Sequence, residues 1–366
     1  MDRREEVEHK LARVRRWLSE RHQPALLVRQ RSNFAWITAG GRSHVNTARD
    51  AGAAALLITA NRFVLLASNI EAQRLVDEEL VDVPVDVAPY PWPDDDGERR
   101  LIAGIVGSGA APVTDTEPGV AAAVAGLRAT LLGPEIRRLE QLGELTSGIV
   151  EQLCRRIEPG ETEHEVAAQL HAAAVAHGAR VPVCLIAADD RIARRRHPLP
   201  TAQTVDRRAM VAVCIERAGL ICSATRLVNF APLGDDLRRR HEAVCRVDAA
   251  AASATRVGRP IRDVFAEIVA AYDCNGFPDE WREHHQGGST GYQPRDVVAG
   301  PATGVVVQNH QPFAWNPSIA GTKSEDTMLA TNSGVRWITA PGERWPTVEV
   351  EIGGDAVRRP DILIRS

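Results

Sequence analysis

One short stretch limits the possible folds of this chain more than any other. In residues 157–176, IEPGETEHEVAAQLHAAAVA, one helix has to end and another begin. Pro159 and Gly160 stop the amphipathic run EIRRLEQLGELTSGIVEQLCRRI, because proline donates no backbone N–H and glycine ends helices readily. Thr162 is placed to cap the next helix, with Glu165 three residues on as its capping-box partner.

The chain reads differently on the two sides of this pair of helices. Upstream, PALLVRQ, NFAWITAG, AAALLITA and RFVLLAS are short apolar runs that predict strands, and IEAQRLVDEEL is an amphipathic segment among them. Together they predict an α/β unit, with YPWPDDDGE as a surface loop. The composition changes at Leu131-Leu132-Gly133-Pro134, which sets expected domains at 1–132 and 133–366. Downstream, MVAVCIERAGLICSATRLVNF predicts two strands about a glycine turn. Two helices follow, stopped by Gly258 with Pro260 and by Asn275-Gly276, and then alternating strands and loops.

Composition narrows the function. A net charge of −4 gives no electrostatic footprint for nucleic acid, and the triplets Arg194–Arg196 and Arg238–Arg240 read as solvated faces. The charged start MDRREEVEHKLARVRRWL lacks the apolar core of a secretory signal, and no run approaches the ~20 apolar residues of a membrane span. The expectation is a cytoplasmic protein without nucleic-acid or membrane partners. Six cysteines without a CxxC pair read as reduced, packed thiols.

Chemistry concentrates in REHHQGGSTGYQPRD, residues 282–296, where His284 and His285 precede a glycine-rich turn, and in KSEDTMLAT, residues 323–331. With SNFAWITAGG near the start and EPGETEHEVAAQL in the middle, these segments occur in an order that resembles the creatinase, prolidase and methionine aminopeptidase superfamily (peptidase family M24). The resemblance implies an α/β N-terminal creatinase-like domain followed by an α+β pita-bread C-terminal domain. It also implies a homodimer in which Arg42, His44 or Asn46 of one subunit closes the pocket of the other.

Active peptidases of that family hold two divalent metals with two Asp, one His and two Glu, since bridging carboxylates keep paired hard cations close to a shared water. Against that pattern this chain is a divergent member. Cys214 and, approximately, Ala224 replace the aspartates, Gly288 stands at the metal histidine, Gln311 at the first glutamate, and only Glu325 remains. No metal and no other cofactor is therefore expected. His284 matches an upstream substrate-facing histidine, His285 is additional, His197 matches a further pocket histidine, and Arg295 replaces a neutral donor by a permanent cation.

The resemblance to creatinase implies a metal-independent enzyme cleaving a C–N bond of a small amino-acid-like or amide substrate, by hydrolysis or elimination. His284, His285 and Glu325 are the expected acid-base residues, with an imidazole of near-neutral pKa moving the proton. Expected substrate contacts are Arg295, Gln311, His197, Arg226, Tyr292 and Trp315, with Arg42 and His44 supplied by the partner subunit. The guanidinium groups would grip an anionic substrate. Cys214 is weighed as a nucleophile but lies in the apolar strand VAVCI. Two alternatives stay open: a non-catalytic pita-bread module that binds peptide, and a mononuclear metal-dependent Xaa-Pro-type peptidase built on His284, His285, Glu325 and His310.

Overall fold

The computed structural model describes residues 1–107, 109–352 and 354–365. The chain divides into two compact units, Met1–Glu135 with Ala218–Leu220, and Ile136–Arg217 with Ile221–Ser366.

The first unit opens on helix α1 (Arg3–Glu20), fixed at its start by a capping box between Asp2 and Glu5. Its buried Val7, Leu11, Val14 and Leu18 recur at helical spacing. Strands β1 (Ala25–Gln30), β2 (Ala51–Thr59), β3 (Phe63–Ser68), β4 (Asp86–Tyr90) and β5 (Val113–Thr114) form one sheet in the order β4-β3-β2-β1-β5. Helix α2 (Arg31–Ile37) follows β1 directly; α3 (Gly97–Val106) and α4 (Pro118–Arg128) come later.

NFAWITAG is therefore a helix and not the expected strand. Phe34, Ala35, Trp36 and Ile37 are buried in succession, without the alternation of a half-buried strand. Asp115 fixes the junction by accepting from the amides of Arg29 and Gln30 and from Asn33 Nδ2. Gly40, at φ +108°, ends the helix by donating to Ala35 O.

The second unit contains most of α5 (Gly133–Arg156) and then α6 (Glu163–Ala176), whose N-terminus carries the Thr162–Glu165 capping box. β6 (Arg180–Ala188), β7 (Arg208–Arg217) and β8 (Leu220–Asn229) precede α7 (Asp235–Ala254) and α8 (Ile261–Cys274). Ala218 and Gly219, both at positive φ, make the tight β7–β8 turn. The remaining strands are β9 (Gly287–Ser289), β10 (Val297–Val298), β11 (Gln311–Trp315), β12 (Ser318–Ile319), β13 (Thr322–Lys323), β14 (Asp326–Thr331), β15 (Gly334–Trp337), β16 (Thr347–Ile352), β17 (Asp355–Pro360) and β18 (Leu363–Ile364).

The large sheet runs β10-β9-β11-β14-β8-β7-β6, with β15 on β14 and β18 on β8. α7 and α8 contribute Val244, Val247 and Ile268 to a core shared with Phe313, Trp315 and Met328. The Gly287-Gly288 pair threads β9 between its neighbours. A Cβ on Gly287 would lie 2.2 Å from Ala314 O, and one on Gly288 1.9 Å from Val297 O, so a side chain at either place displaces backbone. Among the described residues no single helix is long and apolar enough to cross a membrane.

Candidate active site

Several segments of the second unit meet around one cavity of about 280 Å³. The loop before β7 supplies His197, the chain entering β9 supplies His285 with His284 buried beside it, the β9–β10 connection supplies Arg295, and the β13–β14 crossing supplies Lys323 and Glu325. Along an extended chain alternate residues share a side, so Lys323 and Glu325 face one way and Asp326 the other. Glu325 Oε2 accepts from Lys323 Nζ at 3.0 Å and from Thr225 Oγ1 at 2.8 Å. Its Oε1 accepts from Arg295 Nη2 at 2.9 Å. Asp326 instead binds the buried guanidinium groups of Arg226 at 3.0 Å and Arg359 at 2.7 Å.

The imidazoles form a second cluster. His284 Nε2 lies 2.9 Å from His197 Nε2, and the rings of His284 and His285 stack with centroids 4.4 Å apart. His285 Nδ1 accepts the Gly287 N–H at 3.2 Å. His284 is buried, whereas His197 and His285 reach solvent.

Burial, Lys323 and the neighbouring imidazoles push His284 down to about 2. Burial, Arg295, His197 and Lys323 push His285 down to about 4. His197 is lowered too, first by burial and then by Lys323. All three rings are neutral at physiological pH, which corrects the expectation of a near-neutral pKa: the cluster has two fixed cations beside it. Burial acts to raise Glu325, but Lys323, Arg295 and the Thr225 hydroxyl outweigh it and bring the carboxyl to about 2.

Of the expected site residues, the structure brings together His197, His284, His285, Arg295 and Glu325. Arg226 is a correction: fully buried, it donates to Asp326, to Thr225 O and to Thr339 O, and so faces protein instead of a ligand. Trp315 is another, packed in the core against Phe313 with its Nε1 donating to Thr255 Oγ1 at 2.8 Å. Gln311 is buried, with its Oε1 accepting from Gln308 N, and neither it nor the buried Tyr292 is among the described residues lining the cavity. Arg42 and His44 belong to the first unit, where Arg42 is ion-paired with Glu79 at 2.8 Å.

Cys214 lines the cavity, but burial raises its thiol pKa and its Sγ sits 3.2 Å from Ser223 Oγ, which leaves it protonated and poorly nucleophilic. His310 stands at positive φ just before β11, outside the imidazole cluster. Lys323 and Thr225 had not been assigned as partners of Glu325. Lys323 was detectable from its i, i+2 spacing to Glu325; Thr225 was not, being a hundred residues away.

The donor set does not fit a carboxylate-bridged metal pair. Cys214, Ala224, Gly288 and Gln311 stand where four ligands would be required, and both oxygens of Glu325 are taken by Lys323, Arg295 and Thr225. Two fixed cations at the surviving carboxylate also oppose a dication there.

Comparison with known proteins agrees with this architecture. The model of metallopeptidase family M24 matches residues 137–339. The prolidase from Pyrococcus horikoshii OT3 superposes with a TM-score of 0.78 at 16% identity, covering 92% of this chain and 99% of that one. Dipeptidase PepE from Mycobacterium ulcerans gives 0.77 at 18% identity, with 98% of each chain covered. The N-terminal domain of the FACT complex subunit SPT16 from Cicer arietinum (chickpea) gives 0.69 at 11% identity, covering 92% of this chain and 97% of that one. No curated protein sequence matches. The family match spans more than half of the 366 residues, and the chain therefore belongs to metallopeptidase family M24.

Proposed function

We propose that this chain is a hydrolase that opens a C–N bond of a small, anionic, amide or amino-acid-like substrate by imidazole acid-base chemistry, without the paired metals of its family. The observation that carries the reading is a three-imidazole cluster, two of whose rings, His197 and His285, line one cavity with the Arg295–Glu325–Lys323 charge cluster. Arg295 and Lys323 attract the substrate's anionic group. The entering negative charge raises the depressed imidazole pKa values toward neutral pH, where the rings serve as stronger bases. One imidazole then takes a proton from water as the water oxygen bonds to the carbonyl carbon. The same proton is returned to the leaving nitrogen as the C–N bond breaks, and the His284–His197 contact offers a second ring to share it. Glu325 balances the two cations in this reading, since its oxygens are engaged by Lys323, Arg295 and Thr225.

A second reading rests on the same imidazoles, whose ligand nitrogens lie within 4.8 Å of one another and so have the spacing to hold one metal ion. The His285 tautomer weighs against it. Nδ1 accepts a backbone N–H, so the proton of the neutral ring sits on Nε2 and not on a lone-pair ligand. Metal analysis of the purified protein separates the two. Less than about a tenth of an equivalent of transition metal, with amine release unchanged by chelator, supports the metal-free hydrolase; near one equivalent with chelator-sensitive activity establishes the second reading.

A further inference from the structure

The cavity's hydrogen-bonding groups are unequally divided. Arg295, Lys323 and His285 present donors, and the only carboxylate among its described lining residues, Glu325, already holds the two cations. His285 is fixed as a donor by geometry: its Nδ1 accepts from Gly287 N at 3.2 Å, so the neutral ring carries its hydrogen on Nε2. Arg295 Nε is buried without a hydrogen-bond partner. Among the described residues lining the cavity, Asn316 is 3% exposed and its Oδ1 is a buried acceptor without a donor. Unmet buried polar groups cost free energy, and since Arg295 and Asn316 both line the cavity, a ligand toward which these groups can turn is favoured.

A ligand meeting these demands has an acceptor-rich anionic end for Arg295, Lys323 and His285, and an N–H for Asn316. The charge balance decides what kind of N–H. With the imidazoles neutral, two cations face one carboxylate, and a free ammonium would add a third cation with no carboxylate left to receive it. An amide or ureido N–H supplies the hydrogen without the charge. Val183, Leu185 and Val213 line the cavity with apolar surface suited to a short aliphatic side chain, and about 280 Å³ lies at the small end of ligand pockets.

We propose that the cavity selects small carboxylates whose nitrogen is blocked as an amide or urea, such as N-acyl or N-carbamoyl amino acids, and rejects amino acids and dipeptides that carry a free ammonium. The proposal rests on the hydrolase reading only for the fate of the ligand; recognition stands without turnover.

Isothermal titration of the full chain with N-acetyl-L-alanine, N-carbamoyl-L-alanine, L-alanine and L-alanyl-L-proline tests it. The blocked compounds are expected to bind at least ~10-fold tighter than the free amines, the scale of one charge-assisted contact. Arg295→Met should abolish that preference while the protein stays folded by circular dichroism. His285→Gln, which keeps an N–H near the Nε2 position, should retain more affinity than His285→Ala. Nitrogen-15 NMR should find His285 as the Nε2–H tautomer. Equal or tighter binding of the free-amine compounds, or no binding of either blocked carboxylate, overturns the proposal. Tight binding of the blocked compounds with no amine or ammonia released leaves it standing and removes the hydrolase reading instead.

Discussion

His284 Nε2 and His197 Nε2 lie 2.9 Å apart, although 87 residues separate them in the chain. At that distance one ring donates and the other accepts, so the contact requires a neutral acceptor ring. Burial first, and then the Lys323 cation, keep both rings from gaining protons, with Arg295 adding to the effect on His197. The site is thus set for neutral imidazole by burial and by a cation carried on β13.

A stability profile follows from this. His284 has an ordinary value of 6.5 when unfolded and about 2 when folded, through burial, Lys323 and the adjacent imidazoles. A histidine lowered in the folded state leaves the unfolded chain binding more protons, so its contribution is complete above pH ~6.5 and is lost as pH falls toward the folded value. Lowering the pH from about 6.5 to about 5 should cost the wild type about 2 kcal/mol through this group, at ~1.4 kcal/mol per unit. His284→Asn should flatten that slope in urea denaturation at the two pH values. An unchanged slope would mean that His284 protonates freely in the native site.

Glu325 is expected to be a stability residue as much as a site residue. Glu325→Gln leaves Lys323 and Arg295 side by side without a counter-charge, and breaking a buried ion pair from one side costs about 3–5 kcal/mol. Chemical denaturation should register the loss, and Glu325→Asp, which keeps the counter-charge, should lose less than Glu325→Gln. Wild-type stability in Glu325→Gln would contradict the ion-pair geometry.

Gly288 gives a prediction about ancestry of the site's chemistry. It occupies the position at which the family resemblance puts a metal histidine, yet a Cβ there would meet Val297 O at 1.9 Å. Gly288→Ala should therefore destabilise by several kcal/mol, as overpacking against backbone does. Gly288→His should neither restore stoichiometric zinc nor fold as stably as the wild type. A stable, zinc-loaded Gly288→His variant would show that β9 and β10 can separate.

Much of this was legible in the sequence where chemistry is local. The Thr162–Glu165 capping box and the Gly-ended helices follow from spacing, and so does the divergence of Glu325 and Asp326 to opposite sides of one strand. The family order was legible because its motifs keep their sequence along the chain. What escaped depends on distant partners. Arg226 looked available for an anion until Asp326, Thr339 and Glu151, up to 113 residues away, were seen to enclose it. Trp315, expected as a substrate contact although a core position is the commoner place for tryptophan, packs in the core with Phe313. The histidine pKa values escaped for the same reason, since they depend on cations that only folding brings close.

The kinetic roles can be separated by four variants, assayed on the substrate identified by binding. His284→Ala removes the ring that shares a hydrogen with His197 and should lower kcat by at least ~10², the usual loss of general acid-base catalysis. Arg295→Ala removes a guanidinium that grips the anion both before and during reaction. It should raise KM with a smaller effect on kcat, the signature of lost uniform binding. Arg226→Lys lies outside the cavity and should lower stability while leaving KM unchanged, because one ammonium cannot reproduce the bonds of a planar guanidinium to Asp326, Thr225 O and Thr339 O. Cys214→Ser should leave kcat within a few-fold, since a buried, protonated thiol beside Ser223 performs no nucleophilic step. The assignment fails if Cys214→Ser abolishes turnover while His284→Ala does not, because the covalent path through the thiol would then replace the imidazole path to the leaving nitrogen.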